Sequence, residues 1–66
     1  MNEIRIIPIK RYAVTRHYEY EDGRAGCESI AENLTLEQAQ NIAGAVHARA
    51  EAAGMAIEPL NLEPKE

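Results

Sequence analysis

The sequence predicts a small α+β fold: an antiparallel sheet in the order β-β-β-α-β, with one alanine-rich helix packed on one face. Three observations predict it. Residues 11–20 and 25–33 are strand-like runs flanking Asp22-Gly23, a strong short-range hairpin signal. Residues 36–53 are rich in helix formers and lie between a capping signal at Thr35 and a stop at Gly54. Two further apolar segments, 3–9 and 55–62, each carry a proline, which places them at sheet edges.

The first strand, 3–9, is EIRIIPI. Ile4 and Ile6 share one face, Ile7 and Ile9 the other, and a switch of face implies a bulge or a bend. The strand is expected to bend near Pro8 and continue into the hairpin. An isoleucine-rich edge is sticky, so the C-terminal segment or another subunit should cover it. In the second strand, 11–20, Tyr12, Val14, Arg16, Tyr18 and Tyr20 share the apolar face, and Arg11, Ala13, Thr15, His17 and Glu19 lie on the other.

Two turns compete at residues 21–23. A two-residue Asp22-Gly23 turn pairs Val14 with Ala31 and His17 with Glu28. A three-residue loop with Gly23 in the left-handed region pairs Val14 with Ile30 and Arg16 with Glu28. The second is favoured, because it puts Ile30 and Leu34 on the face of Tyr12, Val14 and Tyr18 and gives Arg16 a partner. In the third strand, 25–33, Gly26 is a soft spot, and Cys27 then faces away from the core beside His17. A Cys–His pair invites a nucleophile reading. Nothing marks an orienting carboxylate or an oxyanion hole, so no catalytic residue is assigned.

The helix opens on a capping box, Thr35 with Gln38 three residues on, and Glu37 suits the dipole. Leu34 precedes the cap as a staple toward Ala39. At the far end Met55 can reach back over Ala50. Leu36, Ala39, Ile42, Ala43, Val46, Ala50 and Ala53 form one stripe, with alanine at its centre. His47 sits at the border of the stripe, where a partly covered surface position is expected. Gly44, Ala48 and Ala52 make a flat outer patch, near Glu51, against which another helix could pack. Residues 63–66 read as a frayed polar tail.

Composition bounds the function. The 66 residues make one domain, 1–66, whose stability margin is thin. The hydrophobic fraction is 45%, much of it alanine, with no Phe or Trp, so the core must be thin. One cysteine allows neither an internal disulfide nor a thiol pair for zinc. His17 and His47 are not brought together by any spacing, so no metal or cofactor is expected. The N-terminal segment lacks the apolar stretch of a signal peptide, and no segment approaches a membrane span. These features point to the cytoplasm. Charge is uneven: residues 1–18 carry +3 and residues 19–66 carry −7, which make up the net −4.

The stretch YAVTRHYEYEDGRAG followed by IAENLTLEQAQ is similar to short phage and prophage reading frames that combine an aromatic hairpin, a glycine turn and a Leu-Thr-Leu-Glu helix opening. That group carries no shared activity or functional residues. The resemblance implies a mobile-element origin, and small acidic proteins of that origin often inhibit a host protein stoichiometrically, as anti-CRISPR proteins do.

The expected function is therefore a non-enzymatic protein-binding module, a phage or mobile-element inhibitor or regulator of a host protein. Its partner is that host protein or a second copy, met through an edge strand or the helix face. The candidate partner-binding residues are Arg11, Arg16, His17, Tyr18, Tyr20 and Arg24 on the hairpin, with Gly44, Ala48 and Glu51 on the helix. Aromatic and arginine side chains dominate interface energetics, which is why these are singled out. The alternative is a small nucleic-acid binder that uses Lys10, Arg11, Arg16, Tyr18 and Arg24 to hold phosphate and stack bases. The net negative charge works against it. An enzyme or ligand carrier would need a pocket that so thin a core leaves little room for.

Overall fold

A computed structural model describes residues 1–65. It contains three strands and a helix in the order β1 (Asn2–Pro8), β2 (Tyr12–Glu19), β3 (Ala25–Leu34) and α1 (Leu36–Ala52). The strands form one antiparallel meander in the spatial order β1-β2-β3. The fold is thus α+β with a three-stranded sheet and one covering helix.

The chain does more than bend at Pro8. Pro8 pairs with Tyr12, so residues 9–11 close a tight reversal and β1 folds back along β2. Met1 and Glu19 exchange both of their backbone hydrogen bonds, at 2.9 and 3.0 Å. Alternation from that pair puts the backbone groups of Glu3, Arg5 and Ile7 toward β2, and those of Asn2, Ile4, Ile6 and Pro8 toward the outer edge. Pro8 therefore forfeits no ladder bond, which explains its place on an edge strand.

The second hairpin uses the three-residue loop. Tyr20 donates to the carbonyl of Arg24 at 2.7 Å, Gly23 adopts φ 87°, and Arg16 pairs with Glu28. A positive φ is cheap only without a Cβ, so Gly23 belongs there. The register then slips twice. Thr15 pairs with Ser29 but Val14 with Ala31 rather than with Ile30 as expected, and Tyr12 with Leu34. One bulge falls at Ile30, which keeps that side chain packed against the core. The second includes Asn33, whose φ of 59° is tolerable for Asn more than for most residues.

The helix begins on the expected capping box. Thr35 Oγ1 accepts from the Gln38 N–H at 3.2 Å, and Gln38 Oε1 accepts from the Thr35 N–H at 3.0 Å. It ends in a Schellman motif: Met55 N–H donates to the Ala50 carbonyl and Gly54 N–H to that of Glu51, both at 3.0 Å, with Gly54 at φ 76°. Ala39 and Ala43 press onto Ile4, Ile6 and Val14, and all five are buried. Ile6 and Val14 are opposite one another in the ladder and are the largest fully buried side chains. Methyl-sized residues on the helix let it approach the sheet closely, which is how so short a chain closes a core.

Three expectations are corrected. There is no final strand at 55–62. The segment meets β1 in a single parallel bridge between Asn2 and Ile57, where Asn2 N–H donates to Ala56 O and Glu58 N–H to Asn2 O. The next rung would need the Glu58 carbonyl as acceptor for the Ile4 N–H, but that carbonyl is turned to His47 instead, so the bridge does not grow into a ladder. His47 is not at the surface but only 7% exposed, because the segment folds over it; its Nε2 lies 2.7 Å from the carbonyl oxygen of Glu58. Nor is the tail frayed through Lys65, whose N–H donates to Ile6 O at 2.9 Å and whose Nζ donates to Glu3 at 2.8 Å. Glu66 lies outside the described residues.

Candidate interaction face

The site is built on the end of the hairpin that carries the Glu21-Asp22-Gly23 turn. Alternation along β2 sets Arg16, Tyr18 and Tyr20 on one side, and the turn brings Arg24 opposite Tyr20. These four side chains stack in sequence. The Arg16 guanidinium lies 5.6 Å from the Tyr18 ring centre, the Tyr18 and Tyr20 rings meet edge to face at 5.5 Å, and the Arg24 guanidinium lies 5.3 Å from the Tyr20 ring centre. Edge-to-face rings and cation–π contacts are both attractive in this geometry. Gly26, opposite Tyr18, makes the stack possible: a Cβ there would fall 2.6 Å from Tyr18 Oη and 2.7 Å from Cζ.

Both arginines are already neutralised within the chain. Arg24 Nε lies 2.6 Å from Asp22 Oδ2, and the Arg24 N–H donates to Oδ1 at 3.0 Å. Arg16 Nε lies 3.1 Å from Glu28 Oε1. That contact is an ion pair without a hydrogen bond, since the buried Nε has no aligned acceptor among the described residues.

Two methionines complete the face. Met1 is fixed by its bonds to Glu19, and Met55 by the Schellman motif. Together with Arg16, Tyr18 and Tyr20 they surround an open cleft of about 370 Å³. Met1 is 65% exposed, Tyr20 54% and Met55 38%. Arg16 also borders two further clefts, shared with Val46 and Arg49 on the helix. Sequence reasoning found the tyrosines and arginines but missed both methionines. Met1 becomes part of the face through its pairing with Glu19, and Met55 through the point where the helix stops; neither signal is visible in the local pattern.

The other predicted residues lie elsewhere. Arg11 is in the reversal at the opposite end of β2, roughly 30 Å from Arg24 at about 3.3 Å per residue. Lys10 sits beside it, so the basic residues do not form one ribbon. Gly44, Ala48 and Glu51 are on α1; a Cβ on Gly44 would meet open space, and Glu51 lies 3.8 Å from His47.

His17 is on the opposite sheet face, where its Nε2 is 2.8 Å from Thr15 Oγ1. It pairs in register with the exposed Cys27. Burial, and then the nearby Arg5 charge, lower its pKa below the ordinary 6.5. On that same face Glu3 bonds Lys65 and Arg5. The Lys65 ammonium is the chief cause, with Arg5 behind it, of a Glu3 pKa held down to about 2, against the opposing effect of burial.

Among the described residues no group of three His, Cys, Asp or Glu side chains is placed to hold a metal ion. Among the described residues no helix is long and apolar enough to cross a membrane. No protein-family model, curated protein or solved structure matches the chain.

Proposed function

We propose that the protein is a non-enzymatic binding module for another protein, and that Arg16, Tyr18, Tyr20, Met1 and Met55 form its contact face. The observation that carries this reading is their convergence on one open cleft. Tyrosine, methionine and arginine are the residue types enriched where protein surfaces meet. Two methionines also let the face adapt to the shape of a partner. The phage-like hairpin and helix opening support a mobile-element role, in which the module occupies a host protein stoichiometrically and so regulates or inhibits it.

The nucleic-acid reading is weaker on this geometry. Phosphate would have to displace Asp22 from Arg24 and Glu28 from Arg16, against a net charge of −4. Lys10 and Arg11 lie at the other end of β2, so they do not join that pair in holding one phosphate.

Site-specific photo-crosslinking tests the proposal. A benzophenone amino acid at Tyr20 should give one discrete adduct in host lysate, and Met55→Asp in the same chain should abolish it. The same probe at Glu37, exposed on the first turn of α1, should give none. Equal adducts from both positions, or tight salt-sensitive binding to random nucleic acid, would overturn the assignment.

A further inference from the structure

The two edges of the sheet are treated differently. On β1, Asn2 is bonded to Ala56 and Glu58, Ile6 accepts from Lys65, and Pro8 offers no N–H. The second half of β3 is broken by the bulges at Ile30 and near Asn33. Tail, proline and bulge are all devices that stop a strand edge from pairing. Residues 25–29 of β3 have none of them.

Their geometry is that of a template. Tyr20 bonds Arg24, and alternation then turns the backbone groups of Gly26 and Glu28 toward β2. The N–H and C=O groups of Ala25, Cys27 and Ser29 therefore point outward, six groups in a row, and all three residues are exposed. The segment carries no lysine or proline and its side chains are small, except for Glu28.

We propose that this edge pairs with the same edge of a second copy, antiparallel about a two-fold axis through Cys27, to make a continuous six-stranded sheet. The register follows from counting. Outward-facing residues must meet outward-facing residues, which allows axes through Gly26, Cys27 or Glu28. An axis through Cys27 pairs Cys27 with its counterpart and Ala25 with Ser29 in both directions, so all six outward groups are satisfied. An axis through Gly26 leaves Ser29 facing the turn. An axis through Glu28 sets two carboxylates directly opposite one another, which repels. The Cys27 register instead sets Glu28 opposite the Cβ-free Gly26 of the other copy and diagonal to its Arg24, within reach of a long side chain. Sheet edge thus meets a self-complementary sheet edge, the usual symmetry of a homodimer.

This assembly goes beyond the contact face proposed above and leaves the Met1–Met55 cleft untouched, so the two tests are independent. Sedimentation should give a mass twice that of one chain, and Cys27→Lys should return it to one chain with an unchanged circular dichroism spectrum. Lysine on an edge strand blocks pairing without touching the core. Cysteine placement tests the axis. Paired residues sit about 5.5 Å apart at Cα, within disulfide range. Mild oxidation should cross-link the native Cys27 at least about tenfold faster than the double variant Cys27→Ser/Ser29→Cys, whose thiols face Ala25 across the axis. A single-chain mass at millimolar concentration, or equal cross-linking from both positions, would overturn the proposal.

Discussion

At the scale of single residues, Gly26 and Tyr18 are the pair on which the interaction face depends. The ring lies against the strand because Gly26 has no Cβ, and that ring in turn supports Tyr20 and Arg16. Gly26→Ala must push the half-exposed ring aside, which costs about 1 kcal/mol, the low end of the range for overpacking. In a Tyr18→Ala background the clash is absent. There Gly26→Ala should stabilise the strand by roughly 0.5–1 kcal/mol, since glycine is the poorer strand residue. A double-mutant cycle by urea unfolding checks this, and the expected result is a change of sign between the two backgrounds. A loss of equal size in both would mean that Tyr18 does not rest on Gly26.

What could be read from single residues was what they do to their near neighbours. Gly23 and Arg16–Glu28 follow from turn chemistry and one pairing rule, and both stand in the structure. His47 was misplaced because its burial comes from Glu58, whose own position depends on Asn2 at the far end of the chain. No window of sequence around His47 contains that information.

At the scale of elements, the helix owes its start to the reciprocal Thr35–Gln38 bonds. Thr35→Ala removes the acceptor for one otherwise unpaired N–H and should cost about 1 kcal/mol. For a domain of this size that lowers the midpoint of thermal unfolding by roughly 4–8 °C. Differential scanning calorimetry measures it, and an unchanged midpoint would show that tertiary packing alone holds the first turn. Helix and hairpin were legible because their signals are local and repeated. The bulges at Ile30 and near Asn33 were not. They arise where β3 must keep Ile30 and Leu34 on the helix while pairing with β2, a compromise between two partners. The expected fourth strand failed for a related reason. Its isoleucine and leucines suggested a strand, but the Glu58 carbonyl that would carry the next rung to β1 serves His47 on the helix instead.

At the scale of the whole molecule, Glu3 and Lys65 join residues 62 positions apart and tie the tail to the sheet. The folded-state pKa of Glu3, about 2, lies below its ordinary 4.5. The unfolded chain therefore binds this proton first. The stabilisation is fully present above pH 4.5 and is lost as pH falls toward 2. His17, lowered from 6.5, adds an upper limb of the same sign: stability falls as pH drops below 6.5, because the unfolded imidazole takes the proton more readily. Urea midpoints measured against pH should show both limbs. Glu3→Gln should flatten the lower one and His17→Gln the upper one. A Glu3→Gln profile that matches wild type below pH 4.5 would show that the clasp to Lys65 adds nothing.

The order in which the chain is made gives that clasp a further meaning. Synthesis runs from the N-terminus, and a domain folds as a unit once enough of it has been made. All three strands and the helix are made before Lys65, whose amide closes on Ile6. A chain cut short before Lys65 would leave the outward carbonyl of Ile6 unpaired and present that stretch of β1 to its neighbours. The tail is therefore a seal on the sheet's edge, and its loss exposes a template for pairing rather than removing a strand.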